Sequence, residues 1–261
     1  MIENPYLSVL LVLILTSGLM AIIRVLQKRY VPHPELCRKL MHIGSGIIAL
    51  SIPWLFQSTQ PVLLLCGISL AGLLAMKHLK CLKRNIGRVV GDVKRRSSGD
   101  IFFPLTIAVL FLLAKDDPLF YCIPILILTF ADAAAALVGI YYGVLHFETP
   151  DGVKTVEGSL AFFLVAFLCA YIPMLYFTDL GSKEILLMAF LLAFLLMIVE
   201  AAVGWKGLDN LLIPVCGFLI LKGLIPCTLA GLISQTAITL SLSISFMLLS
   251  FRIRFRSRAL V

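Results

Sequence analysis

Nine apolar runs separated by short polar stretches dictate what this chain can fold into. They cover about residues 6–23, 34–56, 61–78, 101–114, 119–140, 159–178, 184–200, 211–221 and 224–250. About 20 apolar residues make a helix long enough to cross a bilayer core. If the runs alternate in direction, loops 24–42, 77–100, 141–158 and 200–210 share one side with the C-terminal tail. These segments hold 19 of the 22 Lys and Arg residues, leaving Lys115, Lys183 and Lys222 to the other side. Basic loops stay in the cytoplasm. The expected topology therefore has the N-terminus outside and the C-terminus cytoplasmic.

Composition excludes the soluble alternatives. With 61% hydrophobic residues, 14% charged residues and a mean hydropathy of +1.04, the chain lacks the polar surface to cover its apolar mass. A net charge of +8 would point to nucleic acid in a soluble protein. Here it reads as a topology signal and as contact with anionic membrane lipids, with no nucleic-acid partner expected. The seven cysteines (Cys37, Cys66, Cys81, Cys122, Cys169, Cys216 and Cys227) show no paired spacing and read as small core residues. The first run has no basic flank before it and Arg24, Lys28 and Arg29 after it, which fits a retained span rather than a cleaved leader.

The expected fold class is all-α: a polytopic integral membrane protein with seven to nine transmembrane helices, forming one membrane-embedded domain over residues 1–261. The range reflects two short runs. Residues 101–114 would make a helix of only about 21 Å, and Pro214 sits in the first turn of 211–221, where proline is tolerated. Pro34 suits a first helical position, so the second span is expected to run unbroken from about 34 to 56. The basic loop 77–100 is too short to fold alone.

Polar residues cluster at the helix ends on the basic side. Arg38, Lys39 and His42 fall within one turn of the second span and can face one neighbour; Arg38 and Lys39 alone would also suit interfacial charges. Asp132 lies about eight residues inside its span, where a carboxylate costs about 2.5–3.5 kcal/mol and functional roles dominate. An ion pair with another helix is the plainer alternative. Ala135, Ala136, Gly139 and Gly143 beside it permit close approach of a ligand or a helix. Lys154-Thr155-Val156-Glu157-Gly158-Ser159 leads into the sixth span and offers a cation, hydroxyls and a helix N-terminus to an anion, although Thr155 or Ser159 would equally serve as a cap. Glu200 closes the seventh span, Asp209-Asn210 opens the next, and Ser97-Ser98-Gly99-Asp100 opens the fourth. Carboxylates beside a phosphate-binding loop point to Mg²⁺ and a nucleotide. Gly44-Ser45-Gly46 lies within a span and reads as helix packing, not a dinucleotide fingerprint.

Taken in order, Arg38-Lys39-x-x-His42, Ser98-Gly99-Asp100-x-x-Phe103-Pro104, Asp132-Ala133-x-Ala135-x-Leu137-x-Gly139, Lys154-Thr155-x-Glu157-Gly158-Ser159 and Glu200 followed by Asp209-Asn210-x-x-x-Pro214 resemble the CTP-dependent polyprenol kinase family. That family includes phytol, farnesol and dolichol kinases and a CTP-dependent diacylglycerol kinase. The resemblance covers about residues 35–220, with a departure at Ala131, where many members have glycine. It implies transfer of the CTP γ-phosphate to a lipid alcohol at the cytoplasmic interface. In that scheme Arg38, Lys39, Lys154, Thr155, Gly158 and Ser159 serve the nucleotide, and Asp132 with Glu157 or Asp209 holds Mg²⁺. Asp132 or His42 acts on the hydroxyl, while Asp100, Glu200 and Asn210 complete the motifs. An isoprenoid alcohol is the expected acceptor, with diacylglycerol the alternative within the family. Nothing in the apolar runs measures the acceptor's chain length. An ion-coupled transporter is the rival class, since intramembrane Asp and His also serve carriers; the one-sided clustering of polar residues speaks against it.

Overall fold

The computed structural model describes residues 4–30, 34–78, 99–114, 117–149, 152–203 and 207–258. Every apolar run is helical. In order the helices are α1 (Pro5–Tyr30), α2 (Pro34–Leu50), α3 (Ile52–Leu55), α4 (Thr59–His78), α5 (Gly99–Leu113), α6 (Pro118–Leu126), α7 (Asp132–Tyr142), α8 (Val156–Phe177), α9 (Ser182–Ala202), α10 (Asp209–Leu224) and α11 (Leu229–Arg258). A π-helical turn, Ile127–Ala131, joins α6 to α7, so residues 118–142 form one continuous rod with a widened turn at its middle. Among the described residues, five helices are long and apolar enough to cross a membrane: α1, α4, the α6–α7 rod, α8 and α9. Gly99–Leu113 and Leu229–Ser245 are shorter apolar helices. The expected count of seven to nine spans thus meets five by length and composition. Most of the expected basic loop, residues 79–98, lies outside the described residues, as do Ser97 and Ser98.

Two local expectations require correction. The second run is not one helix: it breaks at Ser51, between α2 and α3. Pro53 is the cause, because it lacks an N–H and its ring crowds the carbonyl four residues earlier. That carbonyl belongs to Ala49, and the buried Tyr121 hydroxyl donates to it at 3.0 Å. The second correction is a small departure from an all-α chain. His146–Thr149 (β1) and Gly152–Thr155 (β2) form an antiparallel hairpin where only a loop was expected. Gly152 adopts φ 135°, a backbone region that favours glycine.

Two large apolar clusters, with a small third one between α1 and α2 around Ile23 and Cys37, hold the helices together. One gathers residues of the α6–α7 rod, α8, α9 and α10, with Phe162, Met188, Leu192 and Ile213 fully buried. The other joins α1, α2, α3, α4 and α5 to the opposite side of the rod, through Val12, Ile52, Val62, Leu110 and Tyr121. The rod therefore stands between two halves. In a bilayer, packing of close surfaces replaces the hydrophobic drive that operates in water, and small residues set those approaches. A Cβ on Gly158 would come within 2.8 Å of the Ala135 carbonyl, which brings the start of α8 against α7. Gly44 and Gly46 pack as their sequence implies. Gly44 faces Leu19 of α1, and Gly46 lies against Thr129 in the π turn.

Replacing Gly46 with Ala should therefore destabilise the protein by about 1–3 kcal/mol, the usual range for overpacking, because the new Cβ would approach the Thr129 Cβ to 2.7 Å. Thermal unfolding in detergent checks this. Adding Thr129→Ala should restore part of the loss, and two additive effects would show that the helices do not meet there.

Candidate active site

A widened turn sets the geometry of the site. The π turn ends at Asp132, which starts α7 deep within the protein and retains 8% of its accessible surface. π turns shift the backbone bonding register and occur often at functional sites. Here the neighbouring carbonyls receive side chains from α2. His42 Nε2 donates to the Leu128 carbonyl at 2.9 Å, and Lys39 Nζ donates to the Asp132 carbonyl at 3.2 Å. Lys39 also meets Asp132 Oδ2 at 2.6 Å, and His42 Nε2 stands 3.5 Å from the same oxygen. Lys39 is 2% exposed, so both charges of this pair have left solvent. The three-residue spacing of Lys39 and His42 puts them side by side on the α2 face that meets the rod. The edge of the Phe103 ring packs against His42, with centroids 5.8 Å apart.

With Nε2 committed to the Leu128 carbonyl, His42 presents Nε2 as a donor in this arrangement. Asp132 Oδ2 is occupied by Lys39, while Oδ1 makes no hydrogen bond among the described residues. The carboxylate thus has one oxygen anchored and one available.

Further charges surround this pair. Arg38 forms a bidentate ion pair with Glu35 one turn earlier and interacts electrostatically with Asp132 and Asp209. Asp209, at the start of α10, feels the charges of Asp132, Lys39 and Lys154. Its position follows from Gly207, whose φ of 94° turns the chain just before the helix. Asn210 is buried, and its carbonyl accepts from the Thr106 hydroxyl of α5 at 2.7 Å. Lys154 on β2 pairs with Glu200 Oε1 at 2.6 Å and also reaches the Glu200 carbonyl. Residues from four separated motifs therefore meet at one end of the bundle.

The start of α8 is satisfied by its own residues. Thr155 is the N-cap, accepting from the Gly158 N–H at 3.1 Å. Glu157 accepts from the Leu145 N–H at 3.1 Å, which ties the helix to the hairpin rather than to Asp132. Ser159 follows, half-buried, in the first turn. Among the described residues no three His, Cys, Asp or Glu side chains come together closely enough to hold a metal by themselves. Of the carboxylates in question, Asp132 and Asp209 share one electrostatic neighbourhood. Mg²⁺ commonly takes one or two carboxylates and completes its shell with water and substrate phosphates; of these two carboxylates, Asp132 already pairs with Lys39.

Beside these groups lies a cavity of about 320 Å³. Arg38, His42, Asp100 and Asn210 form its polar end, and its walls come from α1, α2, α4 and α5. Asp100 opens α5, where its position in the first turn suits the helix dipole. Away from that end the lining is mainly apolar, with Val12, Ile48, Ala49, Ile52, Leu65 and Ile107, interrupted by the hydroxyls of Thr16, Ser17, Ser45 and Ser69. Three of its other lining residues, Ser17, Ile68 and Gly72, are exposed. Among the described residues the cavity thus opens sideways between α1 and α4, toward the surface that lipid would cover. Sequence reasoning missed this chamber, and it also missed Glu35, Thr106 and the π turn. The Glu35–Arg38 spacing of three residues was the one available signal.

The fold and the site define a helical membrane protein with a buried Lys–Asp–His cluster, of which His42 also lines the polar end of a chamber. Phytol kinase from Synechocystis sp. is 29% identical over 189 residues, a match covering 71% of this chain and 78% of that protein. This likeness supports a polyprenol/phytol kinase family relationship. No family model and no solved structure matches the chain.

The Lys39–Asp132 pair yields a test of its structural role. Lys39→Met leaves a buried carboxylate unpaired and should cost about 3–5 kcal/mol, whereas replacing both partners by apolar residues of similar size should recover most of that. Unfolding in detergent of Lys39→Met, Asp132→Leu and the double variant measures the coupling. Purely additive losses would mean that the two side chains do not pair.

Proposed function

We propose that this protein is a membrane lipid-alcohol kinase that transfers the γ-phosphate of CTP to an isoprenoid alcohol at the cytoplasmic interface. The observation that carries the reading is the chamber: an apolar slot open toward lipid whose polar end holds Arg38, His42, Asp100 and Asn210, beside Asp132. A lipid alcohol has the matching form, a hydroxyl on an apolar body. The relationship to phytol kinase supports the same chemistry.

In this mechanism the acceptor's chain lies in the slot and its hydroxyl faces Asp132. The free Oδ1 accepts the hydroxyl proton as the alcohol oxygen attacks the γ-phosphorus. The bond from that phosphorus to the β-phosphate oxygen breaks, and CDP departs. His42 and Lys39 hold Asp132 in position. Arg38 and Lys154 neutralise triphosphate oxygens, with Lys154 exchanging Glu200 for phosphate. Thr155, Gly158 and Ser159 present the start of α8 to the same anion. Asp209 would hold Mg²⁺, which would supply charge neutralisation on the phosphates when bound; with Oδ2 on Lys39 and Oδ1 taking the proton, Asp132 serves the alcohol rather than the metal. The assignment of Glu157 to that metal loses support from its bond to Leu145. The seven-to-nine-span topology, with its N-terminus outside and the motif-bearing ends cytoplasmic, belongs to the same proposal. A carrier would need polar groups reachable from both faces, and the described cluster sits at one end.

Purified protein with Mg²⁺, labelled CTP and a panel of lipid alcohols should form a phosphorylated alcohol. Asp132→Asn should reduce that rate about a hundredfold or more, as removal of such electrostatic groups usually does. Near-normal turnover by a folded Asp132→Asn protein would reassign Asp132 to structure alone.

Topology has its own test. Val153, exposed on β2, should be shielded from membrane-impermeant thiol reagents in intact cells when replaced by Cys in a background without other cysteines. Labelling from outside would invert the arrangement and remove the site from its nucleotide supply.

A further inference from the structure

The apolar chamber has a blind end. Along α2 its lining runs from Arg38 to Ala49 and continues to Ile52 beyond the break, and along α4 it runs back from Met76 to Leu65. Eleven helical residues span about 16 Å, so the slot reaches roughly halfway across a bilayer core. It stops there because the chain turns. Pro53 ends α2, and the resulting elbow puts Ile52 and Phe56 in one buried cluster with Val62 and Leu65. Val9 and Leu110 belong to the same cluster, and both are almost wholly buried. Tyr121 fastens the elbow by its bond to the Ala49 carbonyl. The side opening at Ser17, Ile68 and Gly72 lies between the polar end and the elbow, so a chain that enters it and runs on toward the elbow meets a packed wall.

We propose that this elbow is a ruler: Ala49, Ile52, Leu65 and Cys66 set an upper limit on the acceptor's chain, selecting a short prenyl alcohol over a long polyprenol. The inference rests on the lipid-alcohol kinase reading and adds the substrate class within it. The physical reason is specific to membranes. A prenyl tail leaving lipid for an apolar slot exchanges one hydrocarbon environment for another, so burial gives little discrimination. Selection by length must then come from steric overlap at the closed end, where overpacking a dense interior is unfavourable. A cavity of about 320 Å³ stands at the lower bound of small-molecule pockets, in keeping with one short branched chain. Diacylglycerol, with two chains, fits such a slot poorly.

The test compares kcat/KM for farnesol, geranylgeraniol, phytol and a long polyprenol within each variant, so that the fraction of folded protein cancels. The native protein should prefer the shorter alcohols to the polyprenol by tenfold or more. Leu65→Ala, which deepens the slot, should narrow that gap. Ala49→Leu, which shortens it, should shift preference toward farnesol, and Cys66→Leu gives the same expectation from a different wall should Ala49→Leu fail to fold. Opposite movements of the ratio support the ruler. Equal use of all lengths by the native protein, or ratios unchanged in the variants, would overturn it while leaving the kinase intact. If CTP phosphorylates none of the alcohols, the kinase reading itself falls, and the ruler with it.

Discussion

The buried ion pair between Lys39 and Asp132 fixes how the two halves of this protein meet. Each partner is costly inside a bundle of apolar helices, and each makes the other tolerable. The pair sets the register of α2 against the central rod, brings His42 to the Leu128 carbonyl, and leaves one carboxylate oxygen without a hydrogen bond among the described residues. The π turn is the local device that permits it. The Gly46–Thr129 contact supplies the closeness, since a larger residue would hold α2 away from the carbonyls its side chains reach.

The same arrangement explains why the outer charges pair among themselves. Arg38 is matched by Glu35, and Lys154 by Glu200. Neither cation stands as a lone charge beside low-dielectric walls. Under the proposed function such pairs would be exchangeable, because an anionic ligand with several oxygens offers a cation more than one carboxylate does. A site stocked with provisional partners stays folded when empty and keeps its charges close to where a polyanion would arrive.

Much of this was legible in the chain, for physical reasons that also mark where legibility stops. Apolar runs announce helices because backbone groups in lipid must bond internally, and every expected run is helical. Lys39, His42 and Asp132 stood out because charged or titratable residues are rare inside spans. The break at Ser51 was hidden because Pro53 lies within an otherwise unbroken apolar run, and hydropathy cannot register a missing N–H. The hairpin at 146–155 escaped because its strands are four residues each. The chamber was invisible for a different reason: a side chain facing lipid and one facing an apolar slot have the same composition. Thr155 and Gly158, expected as phosphate ligands, cap and pack α8 in the structure; one short motif does not separate those two roles.

The sideways opening between α1 and α4 has a consequence for how any apolar ligand is counted. A molecule reaching the chamber through that gap arrives by diffusion in the plane of the bilayer, not from water. Its effective concentration is its mole fraction among the lipids, so diluting the membrane with inert lipid weakens occupancy even when the amount per volume of solution is unchanged. Gly72, which has nothing within 4 Å of where a Cβ would sit, and Ser17 make this threshold low. Occupancy of the slot would thereby report the make-up of one leaflet, coupling the protein to its membrane before any soluble reactant is involved.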